Sequence, residues 1–466
     1  MSSPSDKFLL STDDRKIVRV MILGISLPLL DTTLINVATP SLCDQFAATL
    51  AQVQWVTTAY TLATVAIIPM CAWAANRHGA KALWLLGLCI FFLGSLFSPI
   101  AWNLPSLILF RIIQGLGAGM LMPTVQIILA LHIEERKIRR AFTATAVPAI
   151  MAPIAGPLVG GFLLHWTDWH WLFLINLPLS LCAFHQARKH LPNEVNDKTQ
   201  HLDFLGLILL APGLAATFLG LAALANNRSL LISDGLACLV LGLALSALFL
   251  FRACRMQATP LIDLAIFTIR SFRVVSTILF LSSVAFYGGL FLLPLFFLQV
   301  CHYNTMTMGL LLSVQGVGAL AARSRLAWLS ARWGDRNIAL LALISGAAGT
   351  SVFVWPPAAL NLACTLPALF IRGSGLGLLT LLAMSSVFRG LAKDQITHAS
   401  ITARIITQLG ASVGAAGIAL GLQSLFLALP ALPIQEAYAW AFLGLSILTL
   451  AAAIPGSRMA ARPIEK

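Results

Sequence analysis

The chain has 466 residues, of which 59% are hydrophobic and only 10% charged, against about 25% charged in a soluble globular protein. That much apolar surface cannot be hidden in a soluble core, so the composition excludes a soluble enzyme or binding domain and implies an all-α polytopic membrane protein. The net charge of +13 would point to nucleic acid in a soluble chain, but here the basic residues collect in the connections between apolar runs.

The first sixteen residues are polar and do not read as a cleaved signal peptide. Crossing a hydrocarbon core of ~30 Å takes about 20 apolar residues. With that ruler the chain predicts fourteen transmembrane helices, over 17–38, 53–75, 82–101, 104–131, 140–164, 170–187, 204–225, 231–251, 272–298, 308–331, 338–356, 361–388, 398–427 and 437–455. Alternate connections carry the cations: Lys7, Arg15 and Lys16, then Arg77 and Lys81, then Arg136, Lys137, Arg139 and Arg140, and so on to Arg458, Arg462 and Lys466. The opposite connections hold Arg228 alone, so the positive-inside rule places both termini in the cytoplasm.

The first predicted helix contains Asp31, a carboxylate that costs roughly 2.5–3.5 kcal/mol to insert. The second contains Trp55 and Tyr60, and a short cytoplasmic turn follows, Asn76-Arg77-His78-Gly79-Ala80-Lys81. In the fourth helix Arg111 and Gln114 precede GLGAG, Gly115 to Gly119, whose small residues fit close helix packing rather than a nucleotide loop. Arg111 and Asp31 each lie seven residues from the outer end of their helix, so both sit roughly 10 Å below that surface. This level match pairs them as a proton-binding carboxylate tuned by a nearby cation, with Tyr60 at similar depth. GPLVGG in the fifth helix, Gly156 to Gly161, reads as a bendable, closely packed stretch. HWTDWH, His165 to His170, reads as interfacial anchoring.

The loops 188–203 and 252–271 bracket two helices and leave six on each side, a 6+2+6 layout. The expected divisions are 1–190, an N-terminal six-helix bundle, 191–270, a linker with a two-helix insert, and 271–466, a C-terminal six-helix bundle. RGSGLGL in the twelfth helix echoes RIIQGLGAG in the fourth, and such repeats place substrate sites at midplane. By depth and residue type, Trp55, Tyr60, Gln114, Phe286, Tyr287 and Gln315 are the expected substrate contacts beside Asp31. No CxxC, HExxH or GxSxG occurs, so no metal, no cofactor and no enzymatic activity are expected.

Together these stretches resemble the fourteen-helix drug:proton antiporters of the major facilitator superfamily. The resemblance is carried by Leu30-Asp31-Thr32-Thr33 through Asn36-Val37-Ala38 and Pro40, and by Gln54-Trp55-Val56, Ala59-Tyr60 and Leu62. Further along the chain it rests on Arg111, Gln114, Gly115 and Gly117, on Gly156, Pro157, Gly160 and Gly161, and on Trp169, Trp171, Phe173, Asn176 and Pro178. It implies proton-driven export of lipophilic, monocationic compounds across a bacterial cytoplasmic membrane by alternating access, in a monomer. Asp31 and Arg111 then couple the proton, and Asn76, Arg77, Gly79, Lys81, Gly156, Pro157, Gly160 and Gly161 gate the movement. The gating turn departs from the family pattern: Asn76 replaces its aspartate, Ala72 a glycine and Ala80 a basic residue. Arg323, Arg372 and Arg404 also fall within predicted spans, which leaves a symporter or facilitator for a small organic anion as the rival reading.

Overall fold

The computed structural model describes residues 10–193, 202–225, 232–255, 261–356, 361–392, 395–429 and 432–457. Side-chain caps open several of its helices. Ser11 and Asp14 form a reciprocal capping box at the start of α1 (Thr12–Gln45), as do Thr49 and Gln52 for α2 (Leu50–His78). Each satisfies otherwise unpaired backbone N–H groups of a first turn. Gly79, at φ 90° and ψ 149°, ends α2 and starts α3 (Ala80–Phe97) in a conformation closed to residues with a Cβ. Asn103 and Ser106 cap α4 (Leu104–His132) in the same reciprocal way.

Two expected helices arrive in pieces. Residues 140–164 are covered by α5 (Glu135–Thr145) and α6 (Val147–Trp166), which meet at Ala146. Residues 170–187 are covered by α7 (Trp171–Leu174) and α8 (Asn176–His190), which meet at Ile175. Next come α9 (Phe204–Ala225), α10 (Ile232–Arg255) and α11 (Arg270–Gln299). The expected helix 308–331 ends early: α12 (Thr305–Ser324) stops at Arg325, and α13 (Leu326–Ser351) absorbs its last residues. Within α13 the non-helical Gly334, φ 75° and ψ 155°, makes the break expected between 331 and 338. The chain closes with α14 (Leu362–Ser386), α15 (Gln395–Ala428), α16 (Ile434–Ala451) and α17 (Ala453–Gly456).

The architecture is all-helical, and among the described residues eleven helices are long and apolar enough to cross a membrane. The expected spans at 140–164, 170–187 and 308–331 are not among those eleven.

The chain divides into two compact units: residues 1–215 with 244–264 and 392–401, and residues 216–243 with 265–391 and 402–466. In the first unit α1 packs along α6 and α8, while α2 and α3 flank α4. Leu34, Ile35, Val53, Leu107, Trp169 and Phe173 form a core at one end of these helices. In the second unit α12 and α13 flank α14. Its core is aromatic, with Phe296 edge-on to Phe442 at 5.2 Å between ring centroids.

Candidate proton and substrate site

Helical spacing aims the polar residues inward. Leu27, Asp31, Leu34, Ala38 and Leu42 recur every three or four residues and are all buried, so Asp31 lies on the inner stripe of α1. Leu107, Arg111, Gln114, Ala118, Leu121 and Val125 form the matching stripe of α4. Glycines then let neighbours come close. A Cβ on Gly94 of α3 would lie 2.5 Å from the Gln114 backbone nitrogen, and one on Gly115 would lie 2.4 Å from the Tyr60 carbonyl oxygen. The first approach brings Ser95 to Gln114. The second brings Val56 and Tyr60 of α2 to Arg111.

The result is a closed polar cluster within the first unit. Arg111 is fully buried and Asp31 2% exposed. Arg111 Nη1 donates to Asp31 Oδ2 at 2.5 Å and to Gln114 Oε1 at 2.5 Å, while its Nε donates to the Val56 carbonyl at 3.3 Å. Asp31 Oδ1 accepts from Gln114 Nε2 at 2.9 Å and from Asn176 Nδ2 at 3.1 Å, and Gln114 Nε2 also reaches Ser95 Oγ at 2.8 Å. The guanidinium carbon lies 4.2 Å from the Tyr60 ring centroid and 5.7 Å from that of Phe173, within range of cation–π attraction. Arg111 Nη2 and the Tyr60 hydroxyl are buried without a hydrogen-bond partner among the described residues.

This arrangement can work in two charge states. With Asp31 ionised, the Arg111 guanidinium and two amide donors answer its charge. When it is neutral, Arg111 keeps Gln114, Val56 and the Tyr60 face. A buried ion pair of this kind resists loss of one partner far more than loss of both charges together.

The structure brings together Asp31, Arg111, Gln114 and Tyr60 from the expected set. Trp55 is not part of the cluster; it is 45% exposed on α2. Gln315 is buried in the second unit and accepts from Arg372 Nη1 at 2.5 Å. Phe286 and Tyr287, both half-buried on α11, meet edge to face at 5.3 Å. Three residues not assigned to the site belong to it: Ser95, Asn176 and Phe173. The last two stand in the Trp169–Pro178 stretch, where Asn176 was visible as a lone amide among apolar residues. Ser95 carries no sequence signal, since a serine in an apolar helix more often bonds its own backbone.

The expected gating residues divide by role. Gly156 is a contact glycine: a Cβ there would lie 2.1 Å from Thr33 Oγ1 of α1. Gly160 faces Leu34 and Val37, whereas a Cβ on Gly161 would meet nothing within 4 Å. The Pro157 side chain falls outside the described residues. Asn76 Nδ2 lies 3.5 Å from His398 Nε2, and His398 Nδ1 lies 3.3 Å from the Asp263 backbone nitrogen. Arg77 stacks over Trp73 at 5.7 Å. Lys81 Nζ donates to the Leu191 carbonyl at 2.7 Å and to Asn193 Oδ1 at 3.0 Å.

An apolar cavity of about 490 Å³ between α13 and α14, lined by Val352, Trp355, Pro367 and Ile371, contains none of the expected contacts. Its lining carries no charged group. Among the described residues no group of three or more histidine, cysteine or acidic side chains could hold a metal ion.

Comparison with known proteins adds the context. The profile of the Major Facilitator Superfamily matches residues 21–415. A protein of Mycobacterium tuberculosis called Multidrug resistance protein B homolog is 32% identical over 390 residues, 83% of this chain and 72% of that one. A Putative multidrug resistance protein MdtD of Klebsiella pneumoniae is 27% identical over 453 residues, 94% of this chain and 93% of that one. Among solved structures, the human organic anion transporter MFSD10 aligns with a TM-score of 0.70 at 16% identity, covering 95% of this chain and 99% of that one. At that identity the likeness is one of fold.

Proposed function

The chain belongs to the Major Facilitator Superfamily of transporters, and from that footing we propose that it is a proton-coupled multidrug exporter with Asp31 as the coupling carboxylate. The buried Asp31–Arg111 pair with its amide ligands carries this reading. A lipophilic monocation and a proton would compete for the one carboxylate, because either neutralises it and releases Arg111 to Gln114 and Val56. Binding of one then expels the other, which is the linkage an antiporter requires. The names of the mycobacterial and enterobacterial relatives, both called multidrug resistance proteins, support the export of drugs.

The same proposal keeps fourteen spanning segments in a 6+2+6 order, bundles at 1–190 and 271–466 joined through 191–270, a monomer in a bacterial inner membrane, and cytoplasmic termini. Under that topology a membrane-impermeant thiol reagent on intact cells reaches Cys43 and Cys301 and spares Cys254. Labelling of Cys254 refutes the orientation.

Asp31→Asn keeps the size and the hydrogen-bonding capacity and removes titration. In proteoliposomes it should abolish pH-gradient-driven transport of a monocationic dye. Proton release on adding that dye to solubilised protein should vanish with it. Release equal to that of the unaltered protein would move the coupling site elsewhere.

A further inference from the structure

Arg323, Arg372 and Arg404 lie on helices of the second unit, and the structure separates them. Arg372 of α14 is fully buried and its donors are spent: Nη1 on Gln315 Oε1, Nε on Thr350 Oγ1 at 3.2 Å, and Nη2 on the Ala285 carbonyl at 3.2 Å. Arg323 of α12 and Arg404 of α15 are different. Both are partly exposed, and both lie within electrostatic reach of Tyr287 on α11, itself partly exposed. Arg323 is tethered, its Nε donating to the Gly377 carbonyl at 3.0 Å. The Nε of Arg404 is buried and has no hydrogen-bond partner among the described residues. A buried donor on a cation, left unmade, costs more than any ordinary hydrogen bond returns.

Carboxylates are scarce along the second unit, and Asp234, at the start of α10, is the one in residues 216–243. Residues 265–391 contain one acidic residue, Asp335, and it is already committed to Arg389 and Ser330. Residues 402–457 contain one more, Glu436. It opens α16, beyond the far end of α15 and roughly 36 Å along that helix from Arg404. The phenol of Tyr287 offers a further donor, so the group as a whole is rich in donors and cationic.

We propose that Arg404, Arg323 and Tyr287 form an anion-binding site within the second unit, which takes the anionic oxygens of a carboxylate or phosphate on a lipophilic molecule. A substrate bearing a free acid would dock there, and so would the headgroup of an acidic lipid, since the recognised chemistry is the same. Arg404 supplies the unspent donor. The tether on Gly377 fixes Arg323, which shares the electrostatic reach of Tyr287 with Arg404. The site stands apart from Asp31, and its test reads binding rather than proton movement, so either reading can fail without the other.

The test uses the purified full chain in nanodiscs of phosphatidylcholine, which carries no net charge. Rhodamine B has a cation and a free carboxylate, and its ethyl ester keeps the cation and masks the acid. Fluorescence polarisation should give a Kd about tenfold lower for the acid than for the ester, the scale of one charge-assisted hydrogen bond. Arg404→Gln should erase that preference and leave the ester Kd unchanged, which also reports that the variant is folded. Should Arg404→Gln bind neither dye, Tyr287→Phe and Arg404→Lys carry the test: each should narrow the preference with ester binding intact. Asp31→Asn should leave the preference as it is. Adding phosphatidylglycerol separates the two sources. Loss of the acid preference in unaltered protein places a lipid phosphate in the site, and its persistence places a carboxylate there. Equal Kd values for acid and ester in the unaltered protein would overturn the proposal. So would a preference that survives Arg404→Gln or, where that variant does not fold, both of the other substitutions.

Discussion

Each unit buries one arginine at the head of a small-residue motif, Arg111 before Gly115 and Gly117, Arg372 before Gly375 and Gly377. In both, a glycine of the preceding helix lets the arginine's helix close in: a Cβ on Gly94 would lie 2.5 Å from the Gln114 backbone, and one on Gly349 2.5 Å from the Arg372 backbone. Each also uses a glutamine, Gln114 for one and Gln315 for the other. The difference is the carboxylate. Arg111 faces Asp31, whereas Arg372 is held by an amide, a hydroxyl and a carbonyl. The same scaffold therefore holds a buried ion pair in one unit and a hydrogen-bonded cation in the other. What separates the two clusters is one acid at one helical position.

The sharpest way to break this comparison is to remove the two arginines in turn. Arg111→Ala strands Asp31 as a buried, unpaired charge and should cost about 3–5 kcal/mol of stability, read as lost yield and a lowered Tm in detergent. Adding Asp31→Asn should recover much of that loss, because the charge is then gone. Arg372→Gln strands neutral acceptors only and should cost about 1–3 kcal/mol, with proton release on dye addition unchanged. If Arg372→Gln proves as damaging as Arg111→Ala, the acid is not what distinguishes the two sites.

A carboxylate outside both clusters sharpens the scale from below. Asp203, just before α9, accepts from Arg252 Nη1 and from the Gly206 and Leu261 backbone N–H groups, all in the first unit. Burial pushes its carboxyl up, but the hydrogen bonds and the charge of Arg252 outweigh burial and hold it below the usual range. A carboxyl depressed on folding stabilises above its unfolded value, near ~3.9, and loses that contribution as pH falls through the folded one. Asp203→Asn removes the charge that Arg252 faces and should therefore lower the Tm by an amount worth about 1 kcal/mol or less at neutral pH. Near pH 3 the gap to the unaltered protein should shrink. A gap that stays constant with pH would mean that the charge of Asp203 does no work.

Much of this was legible in the sequence because a membrane makes exceptions visible. Asp31 and Arg111 stand out in apolar helices, and counting residues from the helix ends put them at one depth. The amide ligands were harder. Asn176 opens α8 after a break at Ile175, and a segment drawn continuously through 170–187 hides that a helix start places its side chain on Asp31. Ser95 reaches the cluster only because Gly94 lets α3 close on α4, a tertiary effect that periodicity does not carry. Trp55 was chosen by depth, yet depth says nothing about rotation around the helix axis, and its side chain faces away from the cluster. The early end of α12 falls on Arg323-Ser324-Arg325, and the expected helix ran through it because apolar residues resume at Leu326.

The glycine at the foot of α2 has a genetic consequence. Gly79 and Gly334 share nearly the same backbone angles, φ 90° and 75° with ψ near 150°, a region that side chains with a Cβ do not enter cheaply. Any missense change of a glycine codon introduces a Cβ, so in a library of random variants selected for drug survival both positions should be all but blank. Gly161, where a Cβ meets nothing within 4 Å, should accept small residues freely. Such a tolerance map would mark the two turns as one inherited solution used twice, read from which variants survive rather than from any coordinate.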